Sequence, residues 1–459
     1  MSEQIKSTLQ GAIAVTRFGL GASEGEILAA SQNSIKWLKS QLNFENTKPY
    51  PMDGILTCKE YIIEEQVFKK KRKKQTDPEL KFDIVKAYNT RNRSLITQEH
   101  ITRFSYGMHA SSPFHERLVR FWSNHFSVSG RNRRNLTAAT HEREAIRPKI
   151  LGSFYDLALS AILHPAMLLY LDNVQSVGPN SMTGLIGVLL KKGLNENLAR
   201  EVMELHTITP QAKYSQNDVT EFAKALTGWS IGGSSYQKTS QGVTVFDKKS
   251  HEPGNRTVLN KTYFPLGEKQ AKIIIRNLCE HPETAANIAY KLARHFISDN
   301  PPYSLVDRIR RTFIQTNGDL ISIYNTLIES PEVWEPYHKK LKTPDELLIS
   351  TARLIGTENT FPTAARDLYE GFGQHMHAAP TPEGWPDTLE AWLGPDAVTK
   401  RIEWANALAT RIPHMDARKF LTSALGARAS EKTTQMVANA ESGPQALVLA
   451  LMSPEFQRR

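Results

Sequence analysis

Residues 112–126, Ser-Pro-Phe-His-Glu-Arg-Leu-Val-Arg-Phe-Trp-Ser-Asn-His-Phe, indicate most clearly which fold the chain adopts. Large side chains recur there at intervals of three and four residues, at Leu118, Phe121, Trp122 and His125. That spacing puts all four on one face of an α-helix. The same spacing predicts further helices over 140–150, 153–171, 194–208, 217–228, 282–297, 303–315, 317–328, 344–355 and 398–411. The sequence therefore predicts a mainly α protein with a large multi-helix body.

Two segments interrupt the helical pattern. Between 229 and 264, glycine, polar and β-branched residues alternate, which predicts a small β-hairpin insertion. Residues 371–387 are rich in proline and glycine. Proline fixes φ and removes a backbone donor, so this second segment is expected to be a rigid loop.

Length and composition set the class of protein. The chain has 459 residues, of which 40% are hydrophobic and 23% charged, so it can bury at least one large core. We expect one large helical domain over 1–459, with insertions. Two cysteines are too few for a disulfide framework. No apolar run is long enough for a membrane span, and residues 1–10 lack the pattern of a secretory signal. These features predict a soluble protein that is cytoplasmic as synthesised.

The positive charge of the chain is local. The formal net charge is +10, and residues 69–74, Lys-Lys-Lys-Arg-Lys-Lys, carry six positive charges. A positive charge that is concentrated in one short segment argues against nucleic acid as the main partner. We interpret 69–78 as a solvated basic loop or the frayed end of a helix. The alternative is a docking patch for nucleic acid, an acidic polymer or a membrane surface.

A polar stripe follows the predicted helix over 194–208. Asn197, Glu201 and Glu204 fall on one face of that helix. Two carboxylates one turn apart can bind a cation, or can separate their pKa values so that one acts as an acid and the other as a base. The alternative is structural, because Glu196, Arg200 and Glu204 have the spacing of surface ion pairs.

Several histidines are candidates for chemistry. His125 lies on the aromatic helix face, and His251 lies in a turn-rich loop that also contains Glu252 and Arg256. Loops on a rigid scaffold often carry catalytic groups. His375 and His377 are expected on a surface loop. The chain contains no G-x-S-x-G, P-loop or C-x-x-C motif, which excludes the commonest hydrolase, nucleotide-binding and redox classes.

The order of several short motifs resembles the bacterial family of domain of unknown function 1800. The matching segments are 17–22, 121–126, 164–167, 195–205, 218–219, 226–229, 251 with 254, 291–294, 301–302, 373–374 and 382 with 384–385. The resemblance implies a largely helical fold. It also implies a partner, because such proteins are often encoded beside a sulfatase-like family, number 1501, whose members are often exported through the twin-arginine pathway. This suggests envelope or polysaccharide metabolism, and folded co-export to the periplasm with that partner.

Two functions remain open. The first is a hydrolase or lyase that acts on an anionic or sugar-like substrate, with a divalent metal as a candidate cofactor. Its candidate catalytic residues are Glu201, Glu204, His125 and His251, and its candidate substrate-binding residues are Asn197, Arg200, Asn124, Trp229 and Trp385. The second is a non-catalytic binding or assembly partner of the sulfatase-like protein. The enzyme hypothesis requires the carboxylates and imidazoles to meet in one cavity.

Overall fold

The computed structural model describes residues 3–47, 54–130, 135–187, 193–233, 239–336, 339–356 and 361–459. Its first twelve α-helices are α1 Glu3–Ile13, α2 Glu26–Ser31, α3 Ser34–Ser40, α4 Cys58–Lys74, α5 Pro78–Met108, α6 Pro113–His125, α7 Asn135–His141, α8 Phe154–Ile162, α9 Pro165–Tyr170, α10 Met182–Gly187, α11 Asn197–Glu201 and α12 Gln216–Leu226. The other twelve are α13 Glu268–Cys279, α14 Pro282–Phe296, α15 Tyr303–Gln315, α16 Leu320–Glu329, α17 Pro344–Ile355, α18 Phe361–Gly371, α19 Leu389–Trp392, α20 Pro395–Arg411, α21 Ala417–Leu425, α22 Glu431–Ala438, α23 Gly443–Met452 and α24 Pro454–Gln457. The prediction of a mainly α protein is confirmed.

The predicted β excursion is also confirmed, as two hairpins. Strand β1 (Trp229–Ile231) pairs antiparallel with β2 (Thr244–Phe246), and β3 (Arg256–Val258) pairs antiparallel with β4 (Lys261–Tyr263). Each sheet has two strands, and the two sheets do not share a ladder in the described part of the chain. Isolated two-stranded hairpins have little stability of their own, so these hairpins depend on the helices they pack against.

Among the described residues, three helical segments adopt π geometry, at Ala14–Phe18, Glu142–Ile146 and Val202–His206. The π-helical turn at Val202–His206 continues α11, so the predicted helix over 194–208 is only partly α-helical. The predicted helix over 153–171 is divided into α8 and α9. The division falls at His164, because Pro165 begins a new helix and disfavours the helical conformation of the residue before it.

Helix α6 shows how the sequence pattern becomes packing. Pro113 occupies its first turn, where a missing N–H costs nothing. Phe114, Leu118 and Trp122 are fully buried along one face. The Trp122 indole N–H donates to the hydroxyl of Tyr324 on α16, at 2.6 Å. A buried tryptophan of this kind contributes on the order of 3–5 kcal/mol relative to alanine.

The buried apolar side chains form two clusters. The first includes Phe18, Trp122 and Phe296 and joins the N-terminal helices to α6, α8 and α12–α16. The second includes Leu348 and Phe420 and joins α17, α20, α21 and α23. Helices α6 and α17, from different clusters, lie against each other through ion pairs between Arg117 or Arg120 and the first turn of α17. Polar side chains are thereby buried where the two clusters meet.

Of the two forms predicted for the basic segment, a loop and the end of a helix, the structure shows the end of a helix for residues 69–74. Residues 69–74 are the last turns of α4, and the loop is confined to Gln75–Asp77. Asp77 then caps α5 by accepting hydrogen bonds from the backbone N–H groups of Glu79 and Leu80. Residues 69–74 are exposed, as expected. Within the described ranges, no helix is long and apolar enough to cross a bilayer.

Candidate functional site

A cavity of about 410 Å³ opens where the two apolar clusters meet. Its walls include side chains from α5, α6, the end of α7 with the following π turn, the last turns of α14, the first turn of α17, α18 and the predicted rigid loop. That volume is typical of sites for small molecules. Three residues predicted from sequence line it, namely Asn124, His125 and Trp385.

Asn124 holds the rigid loop in place. Its side-chain oxygen accepts from the Trp385 backbone N–H at 2.7 Å, and its NH₂ group donates to the Trp385 carbonyl at 2.9 Å. Gly384 has a φ of +92°, and a Cβ there would lie 2.4 Å from the Asn124 carbonyl oxygen. Glycine is therefore required. Both ends of the Asn124 amide are engaged by the Trp385 backbone, and a role of Asn124 in binding substrate stays a prediction.

The carboxylates in the cavity wall are paired with cations. Glu142 accepts from Arg103 Nε at 2.9 and 3.0 Å, and Asp345 accepts from Arg120 at 2.8 Å. Burial alone would raise the pKa of Glu142, but Arg103 outweighs it and holds that pKa well below its usual range. Glu142 is therefore an anion in neutral solution.

Asp387 is the most heavily paired carboxylate in the wall. It lies 3.0 Å from His295 Nδ1, 3.1 Å from Lys340 Nζ and 3.6 Å from Arg459 Nη2. Burial would raise its pKa, yet His295 and then Lys340 and Arg459 lower it to about 2. An ionised Asp387 requires the proton of His295 to be on Nδ1. Burial lowers the pKa of His295 to about 4, against the opposing effect of Asp387, so this imidazole is neutral at physiological pH.

Two cations of α14 differ from the others in the wall. Lys291 Nζ donates to the Leu205 carbonyl at 2.9 Å and lies 3.4 Å from His125 Nδ1. Arg294 lies one turn further along, with its Nε buried and unbonded within the described chain. Neither forms an ion pair with a carboxylate among the described residues. Burial, followed by repulsion from Arg294, lowers the pKa of Lys291 to about 8, although Glu383 opposes the shift.

His125 lies beside Lys291, as part of the aromatic wall. Its Nε2 lies 3.2 Å from the His206 carbonyl oxygen. A carbonyl oxygen only accepts hydrogen bonds, so Nε2 must carry the proton of the neutral ring. Nδ1 is then free of a proton and accepts from Lys291. Burial, then the charge of Lys291, holds the pKa of His125 well below its usual value. His125 is therefore a neutral acceptor that positions the Lys291 amine.

The paired glutamates lie elsewhere. Neither Glu201 nor Glu204 is among the described residues that line the cavity. Glu204 is 3.4 Å from Arg200, which also lies 3.3 Å from Glu196, and these side chains are about one third exposed. Glu201 is half-buried, and burial together with the charge of Glu204 raises its pKa. The structure therefore places both glutamates outside the cavity that His125 lines.

The remaining predicted residues are also outside the cavity wall. His251 Nδ1 lies 2.9 Å from the Thr227 carbonyl, and its ring packs on Phe246. Trp229 is buried in β1, where Lys272 lies 5.1 Å from the centre of its ring. Asn197 is exposed at the start of α11. These contacts explain His251 and Trp229 by packing and hydrogen bonding within the protein.

Several residues of the cavity were missed from the sequence. His375 and His377 line it, although a surface loop was expected. In the sequence, Lys291 and Arg294 stand out only as members of segment 291–294, which resembles the family pattern. Their spacing of three residues near the C-terminal end of an amphipathic helix could have indicated a shared cationic face. Within the described ranges, no group of three or more His, Cys, Asp or Glu side chains is arranged to hold a metal ion.

Comparison with known proteins gives one result. The family model described as protein of unknown function (DUF1800) matches residues 13–458. No curated protein and no solved structure matches the chain. The family match covers nearly the whole chain, including every element of the cavity wall. The chain therefore belongs to the DUF1800 family.

Proposed function

We propose that this protein is an acid–base enzyme that acts on an anionic, sugar-like substrate in the cavity between the two apolar clusters. The observation that supports this most directly is the pair of cations on α14, Lys291 and Arg294. Both lie in the cavity wall, and neither has a carboxylate partner among the described residues. Both residues are half-buried, and a partly desolvated cation without an ion-pair partner is costly, so an anionic ligand is the expected partner.

Lys291 is the proposed proton-transfer group. With a pKa of about 8, it exists in both protonation states near neutral pH, which is the condition for efficient proton transfer. The Leu205 carbonyl and His125 Nδ1 fix its position from two sides. A neutral Lys291 amine can take a proton from substrate, and the resulting ammonium can return it.

Arg294 is the proposed anchor for the anionic group. A guanidinium offers two parallel N–H donors to a carboxylate or phosphate. Neutralising a carboxylate also acidifies the C–H beside it. We therefore favour elimination: Lys291 removes that proton, the electron pair forms a carbon–carbon double bond, and the leaving group departs from the adjacent carbon. Hydrolysis by paired carboxylates is less consistent with this cavity, because Glu142 and Asp387 are held as ion-paired anions.

The proposal can be tested through the lysine itself. Reductive methylation with ¹³C-formaldehyde gives each lysine an NMR signal, and the Lys291 signal is assigned by its loss in Lys291→Arg. We expect it to titrate near pH 8. Galacturonate should raise that pKa by at least about 1, because an opposite charge nearby favours the ammonium. Galactose, which lacks the carboxylate, is the matched control and should have no effect.

Arg294→Gln should weaken the response to galacturonate by tenfold or more in concentration. A Lys291 signal that titrates near its ordinary value of 10.5, or that ignores both galacturonate and inorganic phosphate, would contradict the proposal. Catalysis is then followed by the ultraviolet absorbance of unsaturated products from polygalacturonate, with its methyl ester as the uncharged control.

The remaining hypotheses stay predictions with separate tests. Glu201 and Glu204 would act at a second, more exposed position than the cavity. A non-catalytic role beside a sulfatase-like protein predicts a stable complex in a pull-down and no change in that complex when Lys291 is replaced. Co-export to the periplasm predicts that the protein stays in the cytoplasm of cells that lack the twin-arginine pathway.

A further inference from the structure

The hairpin formed by α4 and α5 projects from the body of the protein. The last buried residue of α4 is Ile62, and the first of α5 is Leu95. Every residue from 63 to 94 is exposed or half-buried. The seventeen residues from Pro78 to Ser94 correspond to roughly 25 Å of helix. A large surface at the end of this arm is therefore available for contact.

The arm is held together near its middle. The rings of Phe68 and Tyr88 stack with their centres 3.8 Å apart and an angle of 4° between planes. Arg91 donates two hydrogen bonds to Glu64, at 2.7 and 3.1 Å. These contacts fix α4 against α5, so that the far end of the arm presents a defined set of side chains.

The tip combines unpaired cations with exposed apolar side chains. Lys69 is paired with Glu65 at 2.8 Å, whereas residues 70–74 have no carboxylate partner among the described residues. The negative end of a helix accounts for one or two basic residues in its last turn, but not for five. Leu80 and Phe82, in the first turns of α5 beside these cations, are 52% and 65% exposed. A surface that binds its partner only through charge would not need exposed apolar side chains, so these two residues indicate a partner with an apolar part.

We propose that this tip docks the protein on the surface of a bilayer rich in anionic lipids. Residues 70–74 surround the end of α4, and Leu80 and Phe82 lie on different sides of the first turns of α5, so the arm would meet the bilayer with its end. In that orientation the cations would reach the lipid headgroups, and Leu80 and Phe82 would reach the boundary between headgroups and acyl chains. Each lysine near an anionic surface contributes on the order of 1 kcal/mol, and apolar side chains provide the second attachment that stable anchoring needs. Four of these five cations are lysines, which act as point charges, whereas nucleic-acid recognition favours the bidentate arginine.

The test is sedimentation of the full chain with phosphatidylcholine vesicles, with and without about a third of phosphatidylglycerol. The altered protein carries Lys70→Gln, Lys71→Gln, Lys73→Gln and Lys74→Gln. The control removes the same charge from exposed lysines elsewhere, through Lys36→Gln, Lys248→Gln, Lys249→Gln and Lys432→Gln. We expect binding only with the anionic lipid, and a loss of at least a hundredfold for the tip variant but not for the control.

A second variant, Leu80→Ser with Phe82→Ser, keeps all the charges. It should weaken binding by about tenfold at physiological salt, because insertion is lost while electrostatic attraction remains. Equal effects of the tip and control variants would show non-specific attraction and overturn the proposal. Absence of vesicle binding, or tighter binding to duplex DNA than to vesicles, would also overturn it. The residues replaced in both variants are exposed, so both proteins should fold normally. Melting temperatures equal to that of the parent protein will verify this.

Discussion

Replacement of Asp387 by asparagine tests whether the ion-pair network holds the cavity together. The change is nearly isosteric, and it leaves Lys340 and Arg459 facing a neutral side chain. Breaking a buried pair by removing one charge costs on the order of 3–5 kcal/mol. The pKa of Asp387, about 2 instead of the usual 3.8, independently corresponds to about 2 kcal/mol at neutral pH. We expect a loss of roughly 3 kcal/mol, between these two values.

The assay is differential scanning calorimetry. A chain of 459 residues has an unfolding entropy near 1 kcal/mol per kelvin, so the variant should melt about 3 °C lower. Asp396→Asn is the control, because Asp396 pairs with Lys400 at 2.7 Å on the surface with its side chain 83% exposed. Surface pairs contribute under about 1 kcal/mol, so the control should melt within 1 °C of the parent protein. Equal melting temperatures for the two variants would refute the assignment of Asp387 as a structural centre.

Three further predictions concern other parts of the molecule. Gly384→Ala should cost at least about 1–3 kcal/mol, since a φ of +92° and the contact with Asn124 both exclude a Cβ; a melting temperature like that of the parent would contradict this. Glu201→Gln should leave the melting temperature within a few degrees because Glu201 is half-buried, and a fall in catalysis by the same variant would place a second catalytic group outside the cavity. Acid should unfold the protein between pH 6.5 and about 4. Histidines that are neutral when folded, with pKa values lowered chiefly by burial, bind protons only when unfolded, so stability is complete above pH 6.5 and falls by up to ~1.4 kcal/mol per pH unit for each. These histidines are His100, His141, His206, His295 and His377. A urea midpoint that stays constant from pH 7 to pH 5 would exclude this explanation.

The sequence predicted individual helices well and their meeting points poorly. The spacing of Leu118, Phe121 and Trp122 identifies the buried face of α6, because local periodicity depends only on the geometry of one helix. This periodicity contains no information about which other helix packs against the buried face of α6. The cavity wall joins Arg103, Lys291 and side chains of the rigid loop, which lie far apart in the chain.

The stripe of Asn197, Glu201 and Glu204 shows a second limit. Its prediction assumed continuous α-helical geometry from 194 to 208. The turn at Val202–His206 is π-helical, so Glu204 is rotated relative to its position in an α-helix. The i,i+4 contact of Arg200 with Glu204 remains, as the structural alternative anticipated, at 3.4 Å. The ion pair depends only on neighbouring turns of one helix, so the sequence could predict it. The position of the glutamates relative to a cavity depends on other elements, which the local sequence does not describe.

The charged side chains that line the cavity include both paired carboxylates and cations without a carboxylate partner in the described part of the chain. Glu142, Asp345 and Asp387 are each paired within the protein. Lys291 and Arg294 have no carboxylate partner among the residues that the structure describes, and the lowered pKa of Lys291 corresponds to about 3 kcal/mol against its charged form. A purely structural network would be more stable without the charge of Lys291. The presence of the two cations in a cavity open to small molecules is therefore better explained by an anion that arrives from solution, because only a bound anion turns this cost into favourable binding energy.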